Sequence, residues 1–325
     1  MSTTQALTRL PDEPPSLENF LTLSAAPVPG WALLGLLVAA AYCSGVIRLW
    51  TTGRRWPLWR AGSFLAGCAL LIATMASGLE DYGQAMFSVF MFQQLTLMMA
   101  IPPLLVLGSP GTLLLRATPH RWPGRLLLLA ALHLLRSRGS RVLLHPGFTI
   151  PLFLLLFYGL YFSDLDEILL GSAAGHVALE VLFLAAGIVF AVPLLSADPL
   201  PVRQTHLGRM FDLFAEMPLH AFFGVIVMMS ATAFVAVFQA PASWGVDPIA
   251  DQQIAGALAW SYGELPSLLI VLVLLVRWQR DDTRAARAAD RAGDEHGTPD
   301  LDAYNAYLQE LNRRERPRQT PPDLR

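Results

Sequence analysis

Seven apolar stretches set the terms for anything this chain can fold into: residues 31–50, 58–79, 84–107, 143–162, 174–195, 218–238 and 252–276. A helix needs about 20 residues to cross roughly 30 Å of hydrocarbon. In that solvent it must satisfy its own backbone hydrogen bonds, which leaves helices or closed barrels. The runs are too long for barrel strands, so the fold class is all-α: a polytopic membrane protein built as a seven-transmembrane-helix bundle. The charged fraction of 15%, against roughly 25% in soluble domains, agrees. An eighth apolar run, 126–135, is too short to span. It is bracketed by Arg125 and Arg136 and reads as an interfacial helix.

Charge placement sets the orientation. Every basic residue is an arginine. With seven spans and an external N-terminus, all of them except Arg9 fall on the cytoplasmic side, as the positive-inside rule requires. The opposite loops carry Glu80, Asp81, Asp164, Asp166, Glu167, Asp247 and Asp251. The expected organisation is an outer tail over 1–30, a membrane domain over 31–280 with its interfacial helix near 125–135, and a cytoplasmic tail over 281–325. Within that tail "DDTRAARAADRA" suits a short helix and "RPRQTPPDLR" a disordered end. The N-terminal tail has neither the basic start nor the compact apolar core of a signal peptide. The arginine-rich inner loops suit anionic lipid rather than nucleic acid.

Polar groups inside the apolar runs are few and costly, about 2.5–3.5 kcal/mol for a charge at mid-span, so each is a functional candidate. Gln93 and Gln94 lie in the third run, His176 and Glu180 in the fifth, and Glu264 in the seventh. His176 and Glu180 are four apart and share one helix face near the outer surface. Gln94 falls at a similar depth, with Met86 and Met91 near it. Imidazole, carboxylate and thioether are metal ligands, thioether favouring Cu(I); the same groups also serve as hydrogen-bonding glue between helices. Both readings stand at this level. Glu216 and His220 flank Pro218, which suits a helix's first turn and would place His220 near the inner surface. Asp251 reads as the N-cap of the last span. Cys43 and Cys68 read as small packing residues, with no paired-cysteine spacing. No nucleotide cradle, nucleophile elbow or HExxH zinc motif occurs, and the chain reads as a non-enzyme.

Four segments, "FMFQQLTLMMAIPPLLVLGSP", "GHVALEVLFLAAGIVFAVPLL", "HLGRMFDLFAEMPLHAFFGVIVMMS" and "WGVDPIADQQIAGALAW", together resemble the CtaG family over roughly residues 30–280. This bacterial multi-pass family is linked to assembly of caa-type cytochrome c oxidase. The resemblance implies a protein of the bacterial plasma membrane that meets haem-copper oxidase subunits and handles copper for their metal centres. Family members typically carry HMxQH in span three and HxxxH in span five. Here the first reads Phe90-Met91-Phe92-Gln93-Gln94, and Glu180 replaces the second histidine after His176. Met91, Gln93, His176, His220, Asp251, Gln252 and Gln253 match. The resulting candidate metal ligands are His176, Glu180, Met91 and Gln94, with copper as Cu(I). The alternatives are a scaffold for oxidase subunits without metal, and a small transporter or proton conductor using Glu180 and Glu264.

Overall fold

The apolar runs fold as helices, and every regular element among the described residues is helical. The computed structural model describes residues 10–23, 30–119, 121–122, 124–200, 204–296 and 299–315. In chain order the helices are α1 (Leu17–Leu21), α2 (Gly30–Thr51), α3 (Leu58–Met75), α4 (Gly78–Gly83) and α5 (Phe87–Leu95). A π-helical turn, Thr96–Ala100, joins α5 to α6 (Ile101–Leu107). Then come α7 (Pro110–Ala117), α8 (Gly124–Arg136), α9 (Arg138–Leu143) and α10 (Pro146–Leu154), which runs into a second π turn, Leu155–Gly159. The remainder are α11 (Leu165–Leu170), α12 (Ala173–Leu195), α13 (His206–Met229), α14 (Pro248–His296) and α15 (Pro299–Glu315). The chain divides into two compact units, Met1–Leu274 and Leu275–Arg325.

Among the described residues, six helical segments are long and apolar enough to cross a membrane: Gly30–Thr51, Leu58–Met75, Phe87–Ala117, Ala173–Leu195, His206–Met229 and Pro248–Ala292. The fourth expected span, 143–162, folds instead as a shorter apolar helix, Pro146–Gly159. The sixth is displaced from its expected bounds. α13 begins at His206, where the Thr205 hydroxyl accepts from Gly208 N at 3.1 Å, and it stops at Met229. Hydropathy had excluded its first turns because they carry Arg209 and Asp212; Gln204 donates to the Asp212 carboxylate at 2.7 Å. Pro218 therefore lies inside the helix rather than in its first turn, and His220 sits mid-helix rather than near an end. α14 runs past its expected end through the alanine-rich "DDTRAARAADRA" to His296, and α15 follows it. "RPRQTPPDLR" lies outside the described residues.

The central post is Phe87–Leu107. Phe90, Met91, Gln94, Leu95, Thr96, Leu97 and Ile101 are all fully buried, so this segment is packed on every side. Two carboxylates from elsewhere close free amides at the starts of α5 and α7. Asp251 Oδ2 accepts from Phe87 N at 2.6 Å; its carboxylate also takes Ser88 N at 3.3 Å and the Ser88 hydroxyl. Asp251 thus caps α5 and not its own helix, correcting the expectation from sequence. α14 is capped by Asp247, whose Oδ2 accepts from Ala250 N at 2.9 Å. At α7, Asp198 accepts from Gly111 N at 3.0 Å and Thr112 N at 2.7 Å. An amide left open at a helix start away from water is costly, and a carboxylate there also complements the helix dipole.

Candidate metal centre

Three ligand-bearing side chains converge at the end of the unit where α4, α5 and the start of α12 meet. The Ser172 hydroxyl accepts from Gly175 N at 3.1 Å and fixes the first turn of α12. One turn on, His176 and Glu180 project from the same face, with Nε2 and Oε1 3.4 Å apart. α4 supplies Glu80. Single donor atoms from Glu80, His176 and Glu180 all lie within 4.8 Å of one another.

Each member is held by a neighbour. The Trp31 indole, from α2, donates to Glu180 Oε2 at 2.7 Å. Gln93 Nε2 donates to Glu80 Oε2 at 2.8 Å and lies 3.9 Å from Met75 Sδ. Gly83 makes room for that amide, since a Cβ there would meet Gln93 Oε1 at 2.1 Å. The Phe90 ring meets the His176 imidazole edge-on at 5.0 Å. His176 is 9% exposed and Glu180 2%. Burial pushes the Glu80 carboxyl above its ordinary value. His176 Nε2 and Glu180 Oε1 are buried without a hydrogen-bond partner, and both face the cluster.

The sequence-predicted residues divide. His176 and Glu180 come together as their spacing requires. Gln94 does not reach them: its Oε1 accepts from the Tyr161 phenol, and its Nε2 donates to Leu156 O, in the second π turn, at 3.4 Å. Met91 is fully buried in the apolar core, and Met86 occupies the residue before α5. Glu80 was read as a loop acid and is the member that sequence reasoning missed. Its signal was Gln93, an amide in an apolar helix with no local partner.

Long apolar helices around a buried histidine–carboxylate set define a polytopic helical membrane protein with a candidate metal site. The family model for the cytochrome c oxidase caa3 assembly factor (Caa3_CtaG) matches residues 40–281, and the chain belongs to that family. Relatives include uncharacterised proteins of Mycobacterium bovis and Mycobacterium tuberculosis, each 39% identical over 87% of this chain and 43% of their own length. One from Mycobacterium leprae is 38% identical over 94% of this chain and 47% of its own. The chain thus spans less than half the length of these relatives. No solved structure matches it.

Proposed function

We propose that this protein assists assembly of a cytochrome c oxidase in the bacterial plasma membrane, receiving copper as cargo at the Glu80–His176–Glu180 cluster and passing it to an oxidase subunit. The observation that carries the reading is the convergence of one imidazole and two carboxylates, each offering a donor atom within 4.8 Å of the others. The arginine distribution supports a reading in which Pro146–Gly159 counts as a seventh crossing, the N-terminus and this end of the bundle are outside, and the basic loops meet anionic lipid.

The donor set bears on the oxidation state. Two carboxylates and one imidazole suit a divalent ion, and Cu(II) stands at the top of the affinity order for such ligands. Cu(I) prefers sulfur, and the thioether bordering the cluster is Met75, on the far side of the Gln93 amide. Loading and delivery as Cu(II) follow from those preferences. Trp31 and Gln93 hold the two carboxylates in place and leave the facing atoms free to ligate.

Metal analysis of the purified full chain after equilibration with Cu(II), and separately with Cu(I), tests the site. The expected result is about one Cu(II) per chain, weakened by about tenfold or more in Glu80→Gln, Glu180→Gln and His176→Ala. Unchanged uptake in all three variants removes the metal reading. In a strain lacking the gene, oxidase activity and the haem spectrum are expected to fall and to be restored by the wild-type gene. Full restoration by Glu180→Gln would leave a scaffold that works without metal.

A further inference from the structure

A second buried set of ionisable groups lies in the middle of α13 and α14, apart from the metal cluster. His220 is wholly inaccessible and Glu216 is 1% exposed. His220 Nδ1 lies 3.1 Å from Glu216 Oε1, and His220 Nε2 lies 3.6 Å from Glu264 Oε1. The imidazole therefore stands between two carboxyl groups, one on each helix. The Glu264 side chain keeps 27% of its surface exposed. Two atoms of the set, Glu216 Oε2 and His220 Nε2, are buried without a hydrogen bond.

The backbone is irregular on all four segments around this imidazole. α13 has Pro218 two residues before His220, and α14 has Pro266 two residues after Glu264. Each proline removes one helical hydrogen bond and loosens its helix at that level. The π turn Thr96–Ala100 brings in Met99. The other π turn, Leu155–Gly159, carries Phe157, whose ring centre is 6.3 Å from the imidazole, and Tyr158, whose phenol donates to Leu219 O at 2.8 Å. π turns within helices gather at functional sites. Gly263 lets the ring lie on α14, since a Cβ there would be 2.8 Å from His220 Cδ2. Beside Glu216, a void of about 10 Å³, lined in part by Met99, Phe190 and Ser267, has the size of a single water.

We propose that Glu216, His220 and Glu264 form a proton-relay site in which one proton passes between the carboxyl groups of α13 and α14 through the imidazole. The transfer balances. His220 Nε2 takes the proton of a protonated Glu264 while Nδ1–H gives its proton to the Glu216 carboxylate. Glu264 ends as carboxylate, Glu216 as carboxylic acid, and the imidazole as its other neutral tautomer. The net charge is unchanged, which avoids the cost of a new charge in hydrocarbon. The 3.6 Å gap must close to hydrogen-bond distance, ~2.8 Å, and the two prolines mark where the helices can yield. Within four residues of the set on α13 and α14, and in the two π turns, the other titratable groups are Asp212, whose carboxylate accepts from Gln204 at 2.7 Å, the Tyr158 phenol, and Tyr262, whose hydroxyl bonds Thr96 Oγ1 at 3.2 Å. Among the described residues, His220 is the ion-pair partner of both carboxylates.

Infrared difference spectra of the full chain in lipid nanodiscs, recorded across a pH series, test this. The wild type is expected to show a buried carboxylic-acid C=O band that titrates and shifts in D2O. The band should be lost in Glu216→Gln or Glu264→Gln and displaced in His220→Gln. Spectra identical to wild type in all three overturn the relay. Should these variants fail to fold, histidine-selective ¹⁵N NMR of the wild type decides. Averaged signals for the two His220 ring nitrogens support a mobile proton, and one fixed tautomer throughout the series overturns it.

Discussion

Replacing Asp251 with alanine is expected to destabilise the folded protein by about 3 kcal/mol or more, read as a lowered unfolding midpoint in detergent. Its carboxylate accepts from Phe87 N, Ser88 N and the Ser88 hydroxyl at a position only 5% exposed. Alanine leaves all three donors without a partner and without water. An ordinary cap is worth about 0.5–2 kcal/mol; burial and the number of donors raise this one. Asp251→Asn keeps one acceptor oxygen and should fall between. An unfolding midpoint for Asp251→Ala equal to wild type would mean that water, not Asp251, closes the start of α5.

The second large effect is expected at the crossing of α13 and α14. A Cβ on Gly224 would lie 2.6 Å from Trp260 N and 2.7 Å from Gly256 O; one on Gly256 would lie 2.4 Å from Met228 N. These are backbone atoms, so no rotamer change relieves the overlap. Such small-residue contacts let membrane helices approach closely. Gly224→Val should force the pair apart at a cost of at least about 3 kcal/mol, the upper range for overpacking, since the backbone itself must move. His220 lies one helical turn from Gly224, and Glu264 two turns from Gly256. The same substitution should therefore open the gap between His220 and Glu264. A Gly224→Val variant with wild-type unfolding in detergent would refute the close crossing.

Much of the fold was legible because hydrocarbon imposes a simple demand on length and polarity. Five of the seven runs are helices long and apolar enough to span, near their expected places. The other two differ for local reasons. The fourth is shortened between His145, whose Nδ1 accepts from Gly147 N, and the π turn at Leu155–Gly159. The sixth starts at a Thr205 cap that lies upstream of the apolar residues, so a reading by hydropathy began too late. The candidate site was half legible. His176 and Glu180 share a face because they are one turn apart, and that follows from sequence spacing alone. Glu80, Trp31 and Gln93 join them across 149 residues at the farthest, and no local period encodes such a meeting. Gln94 illustrates the converse. Its helix face turns it to Tyr161 and the carbonyl of Leu156. Asp251 was misassigned for the same reason: a carboxylate at a helix start looks like that helix's own cap, whichever amides it serves.

The carboxylate that closes α5 is 164 residues downstream of Phe87. Translation delivers the early helix long before the residue that completes it. A nascent chain halted anywhere short of Asp251 leaves those amides open, and the start of the central post is satisfied only once α14 has been made.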